Sequence, residues 1–233
     1  MRTKQTGQAM LEALLALPII LVVLLGLVQL IWVFWTMHTL QTGSHYVLRS
    51  GVLQHGSLDK MKDTLATVMA TTQMQYFDAP ASDSEGAAPE FDDNDLRYAT
   101  LTETLKMRGY LELAARIQIH NPTAAMQRQL SERRWDTRNS RWVQEIAIDH
   151  PQVRLAEARD AEAWLAARQL QIEIWWCMPL EVPIVGSMIA ATAQWFRSDS
   201  QAFCRLRGMA LDKPMWALKV MAEGPMLTGF RTR

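Results

Sequence analysis

Two residue pairs in this 233-residue chain have types and spacing suited to chemistry. The first is Gly7 and Glu12. A short basic leader with Arg2 and Lys4 ends at the glycine, and one carboxylate follows five residues later. Glu12 stands at the threshold of a stretch with no further Asp, Glu, Lys or Arg before Arg49. A carboxylate at the edge of an apolar segment is costly unless a cation pairs with it. The second pair is Cys177 and Cys204. If the chain is exported to an oxidising compartment, these two should form a disulfide. A metal site built on two cysteines would need further ligands, and His38, His45, His55, His120 and His150 show no ligand spacing.

What must position Glu12 is the segment after it. Ala13–Trp35 holds 23 residues with no charge, and Gln29 is its only strongly polar side chain. As a helix it would be roughly 34 Å long, enough for a hydrocarbon core of about 30 Å. A removable secretory signal has a shorter apolar core and a small-x-small site after it. No alanine follows Trp35 until Ala66, so the segment reads as a retained anchor. Arg2 and Lys4 precede it, which places the amino terminus in the cytoplasm and the remainder across the membrane. Pro18 and Gly26 are compatible with a membrane helix.

The leader, Gly7, Gln8 and Glu12 resemble the processing site of type IV prepilins. The resemblance implies cleavage after Gly7 by a prepilin peptidase, making Gln8 the first residue and Glu12 the fifth. The new ammonium group of one subunit would then pair with the carboxylate of its neighbour. The run Gly7-Gln8-Ala9-Met10-Leu11-Glu12-Ala13, the pair Leu17-Pro18 and the aliphatic helix holding Gly26 are similar to the start of TadE-like proteins, minor pilin-like components of tight-adherence (Flp-type) pilus systems. Two features differ: classical pilins begin with Phe where this chain would begin with Gln8, and Ala13 stands where TadE-like proteins commonly have Phe.

Beyond the span, Met37, Leu40, Val47, Leu48 and Val52 recur at helical spacing, so the span is expected to continue as a stem. Gly43 and Gly51 count against that helix. Residues 57–77 read as further helix. Asp78–Asp95, with seven acids and no base among Pro and Gly, reads as a flexible loop rather than a metal site. Glu132–Arg141 reads as a solvated polar turn, and Trp142–Asp149 as a short strand. Glu157–Arg168 suggests a helix. Leu170–Trp176 and Trp216–Ala222 alternate, and so suggest a pair of half-buried antiparallel strands. Between them lies Pro183–Phe196, an uncharged stretch of 14 residues, too short to span. It is open to two readings, a buried helix or a contact with a membrane surface or partner. Strand, Cys177 and the Pro179–Pro183 turn, then Cys204 and a last strand, also resemble the order in TadE-like carboxyl-terminal halves.

The expected architecture is therefore α+β. Residues 1–7 form a leader, 8–56 a transmembrane helix and stem, and 57–233 an exported pilin-like domain with an antiparallel sheet and the acidic loop 78–95. The 24 Lys and Arg balance the 24 Asp and Glu, which disfavours nucleic acid as a partner. No Walker, GxGxxG, HExxH or GxSxG motif occurs, so the sequence asks for no enzyme, cofactor or metal. The resemblance implies a minor pilin or pseudopilin in a bacterial inner membrane, with its carboxyl-terminal domain in the periplasm. Its expected partners are the membrane, prepilin peptidase, other pilin-like subunits and the assembly platform; incorporation in a surface pilus and a role in adhesion would follow. The alternative is an unprocessed, inner-membrane-anchored periplasmic scaffold or binding module.

Overall fold

The computed structural model describes residues 6–73, 104–105, 107–157, 160–182, 184–193 and 198–231. The leader up to residue 5 and the acidic stretch 78–95 lie outside the described residues. The chain divides into two units, Met1–His38 with Cys177–Leu218, and Thr39–Trp176 with Lys219–Arg233.

One continuous helix, α1 (Thr6–Leu53), takes in both the apolar run and the stem. Its two parts differ in what surrounds them. Leu14, Leu17, Ile19, Leu24, Val28, Leu30 and Phe34 are all more than half exposed. An apolar surface that continuous has no reason to face water. Leu14–Leu53 is the one helix among the described residues long and apolar enough to cross a membrane. From Leu40 onward the helix becomes one-sided: Leu40, Val47, Leu48 and Val52 are buried.

The second unit shows what buries them. Helix α2 (Leu58–Gln73) packs its own buried stripe, Met61, Leu65 and Met69, toward the stem. The two glycines that weakened the helical reading are where the helices approach. A Cβ on Gly43 would stand 2.6 Å from Val68 Cγ1, and one on Gly51 would stand 2.7 Å from Met61 Sδ and 2.8 Å from Leu170 Cδ2. Helix propensity disfavours glycine by about 1 kcal/mol, and close packing overrides that here. The turn between α1 and α2 uses His55 and Gly56 in the left-handed region, at φ 57° and 71°. Gly56 N–H donates to the Gly51 carbonyl at 2.9 Å, which closes the helix end.

The sheets of this unit are short. Strand β1 (Ala115–Asn121) pairs antiparallel with β4 (Gln169–Pro179), setting Ile117 opposite Ile174 and Ile119 opposite Ile172. Strand β4 is the middle of three, in the order β1-β4-β5, with β5 at Met215–Pro225. A second sheet holds β2 (Glu132–Asp136), β3 (Arg141–Ile146) and the two-residue β6 (Phe230–Arg231), in the order β2-β3-β6. Helix α3 (Ala124–Leu130) leads into it, and α4 (Pro151–Glu157) and α5 (Ala161–Ala167) follow it.

Three sequence expectations change here. Glu132–Arg141 is a strand and a tight turn, with β3 beginning at Arg141, and two of its side chains find ionic partners outside the run. Arg134 pairs with Asp149 at 2.8 Å, and Glu132 is held by Arg154, also at 2.8 Å. The helix expected over Glu157–Arg168 is shorter, α5 alone, and is capped by Asp160, which accepts from Ala163 N–H at 2.9 Å. Strand β4 is covered on both faces rather than half-buried: Ile172, Ile174 and Trp176 are buried on one side, Glu173, Trp175 and Cys177 on the other.

In the first unit, the end of β4 leads through a turn to helix α6 (Val185–Ala193) and then helix α7 (Asp199–Leu211). Leu180 N–H donates to the Pro214 carbonyl at 2.9 Å, which ties the turn to the start of β5. Ser198 caps α7 by accepting from Gln201 N–H at 3.2 Å.

Candidate functional site

Gly7, Gln8 and Glu12 all lie on α1, whose first residue is Thr6. The backbone of Gln8 is thus one helical turn, about 6 Å, from that of Glu12. Glu12 is exposed and has no ion partner among the described residues. The arrangement can do one thing chemically. A cation supplied from outside this chain, or made at Gln8 by cleavage, would meet a carboxylate at the start of an apolar helix.

Cys177 on β4 and Cys204 on α7 are joined by a disulfide, with Cα atoms 5.2 Å apart and both side chains buried. The bond anchors α7 to the strand, so the 27-residue separation between the cysteines becomes a closed loop carrying α6.

A third feature was missed from sequence. Gln29, the single polar side chain of the span, is fully buried. Its Oε1 accepts from Val182 N–H at 3.1 Å, while its Nε2 has no partner among the described residues. Three residues earlier, a Cβ on Gly26 would stand 3.8 Å from Val185 Cγ1. The only signal in the sequence was the oddity of a glutamine in an aliphatic run; its partner lies 153 positions away.

Two charged clusters sit in the second unit. Glu173 is held by Lys219, by His120 and by Trp175 Nε1–H, the last at 2.8 Å. Burial would raise its pKa, but the bonds from Lys219, Trp175 and His120 outweigh that and bring it down to about 2. A folded-state pKa below the ordinary value stabilises the fold above the normal carboxyl range. That stability is lost as pH falls from about 4.5 to about 2. Glu173→Gln should therefore cost about 2 kcal/mol at neutral pH and flatten the acid limb of the stability curve. Unfolding followed by tryptophan fluorescence between pH 2 and pH 7 reads both effects. The second cluster joins Asp136 and Glu145 to Arg231, with Nε of Arg231 at 2.9 Å from Glu145. The Asn139 amide is the largest influence on Asp136, and with Arg231 and the Arg138 N–H it brings that carboxyl to about 2 against burial. These are ion-pair networks that fasten strands. Neither presents a nucleophile beside a base, and among the described residues no three His, Cys, Asp or Glu side chains are grouped to hold a metal.

No curated protein and no solved structure matches the chain. Residues 7–49 match the family model described as TadE-like protein. That interval runs from the glycine of the leader through Glu12 and the apolar run into the stem. The amino-terminal segment of this chain is thus similar to TadE-like proteins, and the match overlaps the helix that is long and apolar enough to cross a membrane.

Proposed function

We propose that the protein is a minor pilin or pseudopilin of a Tad/Flp-type pilus or a related adhesion or secretion apparatus. In this reading it inserts once in the bacterial inner membrane, with Arg2 and Lys4 in the cytoplasm and the folded region in the periplasm. Prepilin peptidase removes the leader 1–7, and residues 8–56 serve as span and stem for the exported part 57–233. Its work is non-covalent. Glu12 pairs with the amino terminus of an adjacent pilin-like subunit, and the carboxyl-terminal region meets the assembly platform.

The observation that carries this reading is the joint placement of Gly7, Glu12 and the uncharged run at the start of one helix within the TadE-like interval. That Glu12 has no ion partner among the described residues supports it, since a carboxylate at a membrane edge calls for a cation from elsewhere. The amino-terminal sequence of the protein recovered from cells with and without prepilin peptidase tests it.

A further inference from the structure

The uncharged stretch after β4 has no place in the assembly chemistry above, and its setting in the first unit is specific. The turn before α6 lies against the apolar part of α1. Val182 N–H donates to Gln29, and Val185 faces Gly26. Both α1 residues lie within Ala13–Trp35, the part with no charged side chain. If the hydrocarbon begins near Ala13, its far boundary falls about 20 residues on, near Trp32. Gln29 is then about 5 Å inside that boundary and Gly26 about 9 Å.

The side chains of this segment match that depth. Ile184 is 65% exposed and Met188 56% exposed, while among the described residues of the segment only Val185 and Gly186 are buried. From Val182 to Phe196 the sequence carries no charge. Glu181, just before the turn, and Lys213 approach each other at 3.8 Å with both side chains about half exposed. From that depth, side chains of this length reach the headgroup level while their stems remain in apolar surroundings. Gln29 fits the same scheme: its carbonyl oxygen caps a backbone N–H that would otherwise be unpaired beside lipid.

We propose that α6 is a second membrane-inserted element. It is an interfacial helix that enters the leaflet on the Trp35 side of the span and turns Ile184 and Met188 toward the acyl chains. Depths of about 5–10 Å are typical of helices that lie in a membrane without crossing it. The occupant of the exposed apolar face is lipid. The first unit is thereby held in the bilayer at two points, the span and α6. This inference rests on the membrane reading of α1.

The test uses the full chain in phosphatidylcholine–phosphatidylglycerol vesicles, with single nitroxide labels on Ile184→Cys and Met188→Cys. The native cysteines are joined and do not take the label. Val28→Cys, on the exposed face of the span, is the lipid reference, and Leu227→Cys, an exposed residue of the second unit, is the water reference. The expected result is an oxygen-to-nickel accessibility ratio at 184 and 188 several-fold above that at 227 and close to that at 28. A ratio at 184 and 188 like that at 227, with 28 still oxygen-rich, overturns the inference and leaves the span intact. Low access to both reagents together with spin–spin broadening means that a second copy covers the face, and also overturns it. Nickel access at 28 removes the membrane reading, and the inference with it.

Discussion

Cells producing the Glu12→Ala protein should keep it in the membrane and lose their pili. The two readouts separate because the carboxylate acts at different stages. During insertion Glu12 is a cost, since a charged group at the edge of the hydrocarbon is disfavoured. Its removal leaves Ala13–Trp35 intact, so the amount in the membrane fraction should hold or rise. In the proposed assembly it would be the partner of a neighbouring amino terminus in a low-dielectric setting. Breaking one side of a desolvated ion pair costs about 3–5 kcal/mol. At about 1.4 kcal/mol per factor of ten, that weakens subunit association by more than a hundredfold. Glu12→Gln keeps the size and polarity of the side chain and should fail equally if charge is what matters. Pili counted by electron microscopy, with the membrane fraction probed in parallel, read both. Normal piliation with either variant would remove the carboxylate from the account.

Loss of the Cys177–Cys204 bond should be the largest single blow to the stability of the fold. The cysteines are 27 residues apart, and closing a loop of that length contributes about 3.5 kcal/mol by restricting the unfolded chain. The bond joins the end of β4 to α7, which is also tied to β5. Gln201 makes that tie, with Nε2 donating to the Met215 carbonyl at 3.1 Å and Oε1 accepting from Ala217 N–H at 3.0 Å. The double variant Cys177→Ala, Cys204→Ala avoids stray thiols. Limited proteolysis in detergent should show cleavage within 180–214 under conditions where the parent protein is resistant, and the denaturant midpoint should fall. An unchanged midpoint would mean that the surrounding packing alone suffices to hold α6 and α7.

The amino-terminal half of the fold was legible because it depends on local rules. An uncharged run followed by a one-sided apolar pattern specifies a helix whatever else is present, and α1 follows it to Leu53. The alternating runs around Ile172 and Leu218 likewise become β4 and β5. What escaped was set by partners far along the chain. Glu173 reads as a solvent-facing residue in an alternating strand, yet Lys219, His120 and Trp175 enclose it. Arg134 and Glu132 read as parts of a solvated turn until their partners Asp149 and Arg154 enter, both beyond the run. Gly43 and Gly51 look like helix weaknesses in isolation; only the position of α2 and Leu170 turns them into contacts. Gly7, Gln8 and Glu12 stand out in the sequence by their spacing, and that spacing falls on one helix. Gln29 was visible as an anomaly and opaque as to cause, because its hydrogen-bond partner Val182 comes from the opposite end of the unit.

The central claim is that this chain is processed as a pilin before it acts. Amino-terminal sequencing or intact-mass analysis of protein purified from membranes of cells with active prepilin peptidase tests it most directly. The account predicts a mature chain that begins at Gln8, and the full-length form when the peptidase is absent or when Gly7 is changed to valine. A protein that still begins at Met1 in the presence of the active peptidase would contradict it, and would favour an unprocessed anchored scaffold instead.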